Sequence, residues 1–206
     1  INWLATILQT RGQTRTAWLL HGTQGTGKGV LMNSIIRPIF GFNQTAARRM
    51  EESNEPYNGY MQNAFIVFVD EVQTSALRNE KGVIAKLKNF ITEDRIVVRQ
   101  MYQSGYEVQN YSNWIFASNM PDPINIEVGD RRFNVGGYQA RRLQITPMEI
   151  ARIERELQPF HDYLAAYTID EQLAGTPLET AARQEIIAIS EEVMDTVAGN
   201  LLAGNM

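Results

Sequence analysis

The sequence predicts an α/β fold, in which a central parallel sheet is flanked by helices, and three stretches indicate it. Residues 64–70 and 113–119 are mostly apolar runs that end in polar residues, as is typical of strands buried on both faces. A third apolar stretch, residues 17–20, runs into a glycine-rich turn and then into a helical pattern over residues 30–36. Strands that alternate with helices along the chain are typical of parallel sheets.

The composition is that of a globular protein and excludes several kinds of site. The chain has 206 residues, 44% hydrophobic and 20% charged, so it can bury a sizeable core in one or two domains. It contains no cysteine, which excludes disulfides and thiolate metal sites, and only two histidines. No apolar run reaches the ~18 residues of a membrane span, and no signal-peptide pattern follows Ile1. We expect a cytoplasmic protein without a membrane segment, and a piece of a longer chain.

Charge is distributed unevenly along the chain, whose formal net charge is −4. Residues 1–148 hold 16 Lys and Arg against 12 Asp and Glu, whereas residues 149–206 hold 3 against 11. The overall charge therefore does not indicate a nucleic-acid partner, although a basic face on the first part is compatible with one. The acidic end is interpreted as a solvated helical surface.

The glycine-rich turn matches the pattern G-x-x-x-x-G-K of phosphate-binding loops, from Gly22 to Lys28. Glycines let backbone N–H groups converge on a polyphosphate, the helix start adds its positive dipole end, and Lys28 can reach the β- and γ-phosphates. Gly29 departs from the pattern, since a Ser or Thr hydroxyl usually binds Mg²⁺ there. The alternative is an ordinary turn from strand to helix. The predicted nucleotide-binding residues are Gly22, Thr23, Gln24, Gly25, Thr26, Gly27, Lys28, Gly29 and Val30.

Two carboxylates, Asp70 and Glu71, end the apolar run of residues 64–70. Ligands of open α/β sheets bind at the carboxyl ends of the strands, so these side chains are expected beside the glycine-rich turn. Asp70 can hold Mg²⁺ directly or through water, and Glu71 is the candidate base that activates the attacking water. The alternative is a pair of solvated carboxylates at a strand end.

Further polar residues follow the second apolar run. Asn119 could hydrogen-bond the attacking water or the γ-phosphate, or it could simply begin the following turn. Arg131 and Arg132 come after a flexible loop, and arginines suit multidentate phosphate recognition. Alternatively, both arginines pair with Asp130 or Glu127 on the surface.

Residues 95–99 and 107–109 are predicted to form a β-hairpin around a turn that contains a glycine. Tyrosines and an arginine at its tip suit stacking on bases and contact with phosphates. The candidate DNA-binding residues are Arg99, Tyr102, Gln103, Ser104 and Tyr106. The alternative is a plain surface hairpin with tyrosines packed on its flank.

Helices are predicted at residues 2–9, after the glycine-rich turn as far as about Pro38, and at residues 77–91, where lysines give the helix a basic outer face. Residues 41–63 are interpreted as a mainly irregular connection. Capping boxes at Thr146 and Thr176 open two helices of a C-terminal helical subdomain, residues 147–206, and the first of these is expected to break near Pro159.

The order of these motifs resembles the superfamily 3 helicases, in particular the helicase part of phage and plasmid primase-helicases. The resemblance covers roughly residues 1–146 and is carried by residues 22–28, 68–71, 87–106 and 116–119. It implies an AAA+-like P-loop NTPase core over residues 1–146, with ATP and Mg²⁺ as cofactors. It also implies a homo-oligomeric ring such as a hexamer, and a primase or polymerase domain on the same longer chain in the host cytoplasm.

The resemblance also assigns roles to individual residues. Lys28 is the phosphate lysine, Asp70 and Glu71 are the magnesium and water residues, and Asn119 is the sensor. The hairpin becomes the loop that contacts single-stranded DNA in the pore, and Arg131 or Arg132 becomes the arginine finger that acts on the neighbouring subunit.

The predicted function is therefore an ATP-dependent DNA helicase motor of a replication protein. One alternative is an ATP-dependent loader or packaging-type ATPase without unwinding activity. Another is a nucleotide-binding assembly module with little hydrolysis, which Gly29 would suit.

Overall fold

The computed structural model describes residues 1–53, 55–73 and 80–202. Its main sheet has five parallel strands, and two more strands form a separate antiparallel hairpin. The strands are β1 (Ala17–His21), β2 (Thr45–Arg49), β3 (Ile66–Asp70), β4 (Arg95–Val98), β5 (Tyr106–Gln109), β6 (Asn113–Ser118) and β7 (Phe133–Val135). The predicted α/β fold with a central parallel sheet is confirmed.

The order of the strands in the sheet is β2-β3-β6-β1-β7, so β1 lies between β6 and β7. β1 pairs with one side of β6 as far as His21↔Ser118, and β3 pairs with the other side. Because all these strands point the same way, the residues that follow His21, Asp70 and Ser118 leave the sheet at one edge.

Helices cover both faces of this sheet. The helices are α1 (Asn2–Thr10), α2 (Lys28–Val30), α3 (Arg37–Phe40), α4 (Met50–Ser53), α5 (Glu80–Thr92), α6 (Pro147–Ala166), α7 (Glu171–Ala174) and α8 (Ala181–Leu202). Successive residues of a strand point to opposite faces, and β6 accordingly divides between two hydrophobic clusters. Trp114 packs in the cluster of α5 and α8, whereas Ile115 packs in the cluster of α1 and α6.

The helix after the glycine-rich turn ends at Phe40, two residues beyond Pro38, near which its end was predicted. α2 passes into π-helical turns at Leu31–Ile36 and then into α3, and the chain leaves the helix at Gly41, where φ is 95°. Pro38 lies in the first turn of α3, where a proline is tolerated because its missing N–H is not needed there.

Two strands of the sheet were not predicted. β2 lies in the stretch 41–63 that was expected to be mainly irregular, and β7 lies directly after the two arginines. Both are short and lack a clear apolar pattern, but β2 pairs with β3 and β7 pairs with β1. Pairing with a formed neighbour stabilises such strands, and local sequence does not report it.

The basic outer face expected on the helix at residues 77–91 is not present on the described part of that helix. Leu77 lies outside the described residues, as does the side chain of Lys81. Lys86 is half-buried, donates to the Glu55 carbonyl at 3.0 Å and lies over the Phe90 ring. Lys88 is bound by carboxylates of a neighbouring loop. The ammonium groups of Lys86 and Lys88 are thus bound by neighbouring groups of the protein and do not form a basic outer face.

The C-terminal helices differ from the prediction in two places. The capping box of Thr146 and Glu149 opens α6 as expected, but α6 continues through Pro159 without a break. The proline ring is on the solvent side, where the helix can bend around it. α8 begins at Ala181, and the cap is Thr180 rather than Thr176, because the Arg183 N–H donates to the Thr180 hydroxyl at 3.1 Å.

The C-terminal helices contribute to the two clusters already described. Leu164 of α6 is buried beside α1, and Ile186 and Ile187 of α8 are buried on the opposite face of the sheet. Among the described residues no helix is both long enough and apolar enough to cross a bilayer.

Candidate functional site

The glycine-rich turn, Gly22–Gly27, is called the glycine loop here, and its backbone requires glycine at two positions. Gly25 has φ 84° and Gly27 has φ 92°, in the left-handed region that L side chains rarely adopt. These conformations turn the chain from the end of β1 into α2 within a few residues. The loop therefore follows a strand and opens a helix, as the sequence predicted.

Lys28 closes the glycine loop from inside. Its ammonium donates to the Gly22 carbonyl at 2.8 Å, to the Thr23 carbonyl at 3.2 Å and to the Thr26 hydroxyl at 3.1 Å. Burial lowers the pKa of Lys28, because desolvation disfavours the charged form, while the nearby Asp70 carboxylate acts in the opposite direction. The cation is thus partly desolvated and held by weak acceptors that a stronger anion can replace.

A cleft of about 500 Å³ lies over the glycine loop at the carboxyl edge of the sheet. Lys28, Asp70, Glu71 and Asn119, predicted from separate motifs, all line it together with residues 24–30 of the loop and helix start. Gly22 and Thr23 complete the loop just outside this lining. The order of the strands brings the four side chains together, because β1, β6 and β3 are direct neighbours.

The two carboxylates are arranged differently. The Asp70 carboxylate accepts the Glu71 N–H at 2.9 Å, and Glu71 has φ 56°, so its side chain turns away from the strand direction. The Glu71 carboxylate lies 3.6 Å from the Arg49 guanidinium at the end of β2. This partner was missed, because β2 was not predicted and only the sheet brings Arg49 beside Glu71.

A metal ion at this site would depend on Asp70. Among the described residues no three His, Cys, Asp or Glu side chains converge on one point. Mg²⁺ commonly uses one or two carboxylates together with phosphate oxygens and water, so the residues present fit that ion bound with a nucleotide. They do not fit a metal held by protein side chains alone.

One further segment crosses the glycine loop. The sequence did not associate it with the site. In residues 139–145, called the strap, the Gln139 carbonyl accepts the Thr23 N–H at 2.8 Å and the Leu143 N–H donates to Gly25 at 2.9 Å. Leu143 and Ile145 line the cleft, and the aliphatic part of Arg142 lies next to Gly25. The alternating apolar residues of this segment were the only signal, and they do not indicate which element the segment contacts.

Arg131 and Arg132 lie outside the cleft. They precede β7, which runs parallel to β1, so they are at the sheet edge opposite to the glycine loop. Arg132 is half-buried and pairs with the buried Asp130 carboxylate at 3.4 Å, which Lys88 also contacts at 3.1 Å. Arg131 is exposed and makes no ion pair with any described residue. The alternative of pairing with Asp130 thus holds for Arg132 and not for Arg131.

The five candidate DNA-binding residues lie together on the exposed tip of the hairpin β4–β5. Tyr102 is 97% exposed and has φ 62°, whereas the Tyr106 hydroxyl donates to the Gln62 amide oxygen at 2.7 Å. The end of β4 that leads into the tip is fixed, since the Asn58 side chain bonds the Val97 carbonyl and the Arg99 N–H. The tip therefore presents the exposed ring of Tyr102 next to a strand end that is held by hydrogen bonds.

Comparison with known proteins relates the chain to one family. The model of DUF5906, described as a family of unknown function, matches residues 20–132. This range contains Lys28, Asp70, Glu71 and Asn119 of the cleft. The chain belongs to this family.

A DNA primase-polymerase of Nitratiruptor phage NrS-1 is 29% identical over 201 residues, which are 96% of this chain and 28% of the relative. Two apo structures of the NrS-1 C-terminal region match with TM-scores of 0.84 and 0.80, at 27% and 28% identity. Each match covers 97% of this chain, and 49% and 48% of the solved chains. The chain thus spans about half of the solved NrS-1 regions and under a third of the curated relative.

Proposed function

We propose that this DUF5906 chain is the ATP-driven motor of a phage replication protein, with a P-loop NTPase core of the superfamily 3 helicase type acting on single-stranded DNA. The observation that carries the proposal is the convergence of Lys28, Asp70, Glu71 and Asn119 on one cleft over a glycine loop. A phosphate lysine, a metal carboxylate, a base and a polar sensor are the parts that nucleotide hydrolysis needs.

The glycine loop and Lys28 bind the polyphosphate in this proposal. Residues 27–30, at the start of α2, line the cleft, and the positive end of a helix dipole favours an anion there. The carbonyls and hydroxyl that now hold Lys28 are neutral acceptors. A phosphate oxygen is a stronger acceptor, so binding draws the ammonium out of the loop and towards the nucleotide.

Glu71 is the proposed base, and Asp70 is the proposed magnesium residue. Mg²⁺, when bound, would neutralise charge on the phosphates. The ion pair with Arg49 at 3.6 Å orients the Glu71 carboxylate. Asn119, at the end of the adjacent β6, orients the attacking water. The strap residues Leu143 and Ile145 offer an apolar wall to the base of the nucleotide.

The departure at Gly29 leads to a prediction for the variant Gly29→Ser. Among the described residues no heavy atom lies within 4 Å of a Cβ built on Gly29, and its φ is not positive, so serine fits without strain. We expect normal stability and tighter binding of Mg-ATP, because the hydroxyl stands where phosphate loops place a metal ligand. Isothermal titration with and without Mg²⁺ measures the effect.

The matched control is Gly27→Ser in the same loop. Gly27 has φ 92°, which costs serine about 1–2 kcal/mol, and the new Cβ meets the Leu143 side chain at 2.9 Å. This variant should lose nucleotide affinity. A Gly29→Ser protein as impaired as Gly27→Ser would contradict the assigned position of the metal.

Single-stranded DNA is the proposed partner of the hairpin tip, which leads to a second prediction. The variant Tyr102→Ala should weaken binding of a labelled oligothymidylate by about 1–3 kcal/mol, the usual value of one base stacked on an aromatic ring. Tyr106→Ala should have a smaller effect, because its hydroxyl is already bonded to Gln62. Fluorescence anisotropy measures both affinities.

The control for this experiment is Tyr163→Ala on α6. Tyr163 is 53% exposed, and its ring contacts only Tyr167 among the aromatic groups of the described residues. Its loss should leave DNA affinity unchanged. Equal affinities for all three variants and the unchanged protein would reduce the hairpin to a structural element.

We propose that the parent protein is longer and forms a ring, a hexamer by the resemblance, in the host cytoplasm. The related NrS-1 protein is named a primase-polymerase, and this chain corresponds to 28% of its length. On that relation we propose a primase or polymerase domain on the same polypeptide. The exposed Arg131, away from the cleft of its own subunit, supports a contact with a neighbouring subunit.

The decisive test of the function is ATP turnover in the presence and absence of single-stranded DNA. A motor should hydrolyse ATP faster with DNA and should displace a strand from a forked duplex. Gly29 favours a second candidate, a nucleotide-binding assembly module, which should bind ATP with negligible turnover under both conditions. Stimulated turnover without strand displacement would instead indicate a loader or packaging-type ATPase.

A further inference from the structure

A second cavity, of about 450 Å³, lies at the sheet edge opposite to the glycine loop. Phe65, directly before β3, and Tyr111, two residues before β6, form its aromatic wall. Arg11 extends over the cavity from the end of α1. Side-chain amides, including those of Asn43 and Asn63, form the rest. No Asp or Glu is among its described lining residues, so Arg11 gives the cavity a net positive charge.

We propose that this cavity binds one nucleotide of single-stranded DNA, as a second contact point for the strand that the hairpin tip holds. The inference rests on the proposed function and names a DNA site that the catalytic cleft and the hairpin do not include. It is called the edge cavity below.

The edge cavity offers three kinds of group that suit a nucleotide: aromatic rings, an arginine and side-chain amides. The Arg11 guanidinium carbon is 5.3 Å from the Phe65 ring centroid, and the Phe65 and Tyr111 rings meet edge to face with centroids 6.3 Å apart. Tyr111 is 43% exposed, so a base can stack on it, while Arg11 contacts a phosphate. Amides carry both a donor and an acceptor, which suits the edges of bases.

The edge cavity is held in shape by one buried side chain. Asn113, which is 1% exposed, donates to the carbonyls of Gly12, Phe65 and Tyr111 at 3.0–3.1 Å. Its amide oxygen also accepts the Thr14 N–H at 2.7 Å. The segments that carry Arg11, Phe65 and Tyr111 are therefore fixed relative to one another, and a ligand does not have to order them.

The edge cavity is continuous with the hairpin through Gln62. This residue lines the cavity, and its amide oxygen accepts the Tyr106 hydroxyl at 2.7 Å and the Gln100 amide at 3.3 Å. Asn58, which precedes the segment Gly59–Gln62, donates its N–H to the carbonyl of Arg99, the residue after β4, at 3.1 Å. In this proposal, a strand held at the hairpin tip passes Gln62 and extends into the cavity.

The test measures how DNA affinity depends on oligonucleotide length in the double variant Arg11→Gln/Tyr111→Leu. Labelled oligothymidylates of increasing length are titrated by fluorescence anisotropy. In the unchanged protein, affinity should rise about 5- to 150-fold once the oligonucleotide is long enough to reach the cavity from the hairpin, as expected for one additional stacked base. The double variant should lack this rise and keep its affinity for short oligonucleotides.

Arg15→Gln is the matched control. Arg15 has a positive φ like Arg11, and its substitution by Gln removes the same charge. The Arg15 guanidinium, however, pairs with Asp94 at 2.6 Å, and Arg15 does not line the cavity. The control should retain the length dependence. A loss of equal size in both variants, or an unchanged length dependence in the double variant, would overturn the edge cavity as a DNA site.

The outcomes also separate this inference from the proposed function. Tyr102→Ala should lower the affinity for oligonucleotides of every length, because it acts at the hairpin. If Tyr102→Ala has that effect while the double variant behaves like the unchanged protein, the edge cavity is wrong and the DNA-binding hairpin stands. If the unchanged protein binds no oligothymidylate, both are wrong.

Discussion

The variant Lys28→Ala is expected to lose ATP turnover by at least about 10²–10³-fold, the usual cost of removing one preorganised group that stabilises transition-state charge. Lys28 is the one side chain that reaches into the glycine loop from α2, and its three partners are oxygens of the loop itself. Folding should be unaffected, because these oxygens adjoin the open cleft and can be hydrated. Phosphate release and thermal unfolding measure the two effects.

Lys86→Ala is the control for this experiment. Burial lowers the pKa of Lys86 as it does that of Lys28, but Lys86 contacts Glu55 and Phe90 and does not line the cleft. It should keep full turnover and lose some stability through its packing. Turnover in Lys28→Ala equal to that of Lys86→Ala would remove the basis for a nucleotide site at the glycine loop.

The variant Arg131→Ala is expected to lose turnover by about 10³–10⁵-fold, as for arginine fingers in other NTPases. The prediction depends on its position: Arg131 is exposed, has no described ion-pair partner and lies away from the cleft of its own subunit. Arg132→Ala should behave differently. Its loss leaves the buried Asp130 with Lys88 as its remaining cation, so the melting temperature should fall while turnover persists.

Mixing two inactive proteins tests whether Arg131 acts on a neighbour. Lys28→Ala keeps its arginine, and Arg131→Ala keeps its glycine loop. In a head-to-tail ring, random mixing makes about one interface in four complete, so part of the turnover should return. If the subunits exchange and no activity returns, the action in trans is wrong, and the case for a ring becomes weaker with it.

The elements predicted correctly are those whose signal is local. The apolar runs that became β3 and β6 are buried on both faces, and a strand in that position has to be apolar along its whole length. Glycine spacing around residues 22–28 reflects backbone conformations that only glycine adopts easily, as Gly25 and Gly27 confirm. The cleft residues were predicted for the same reason, since each follows such a strand or loop directly.

The elements missed depend on partners far away in sequence. β2 and β7 exist because β3 and β1 offer them unpaired backbone groups, and neither has an apolar pattern of its own. Pro159 was expected to break a helix, yet α6 continues through it with the proline on the exposed side. Local preference was overridden by packing in each case.

The sequence by itself determined the α/β class, the glycine loop and the four polar cleft residues Lys28, Asp70, Glu71 and Asn119, because strand burial and backbone freedom leave marks in neighbouring residues. Only the tertiary structure decided that Arg49 lies beside Glu71 and that the strap crosses the glycine loop. It also decided that Asp130 pairs with Arg132 and not with Arg131. The cavity shared by Arg11, Phe65 and Tyr111 likewise appears only in the structure. These contacts join residues from separate segments, and sheet order and packing rather than local pattern bring such residues together.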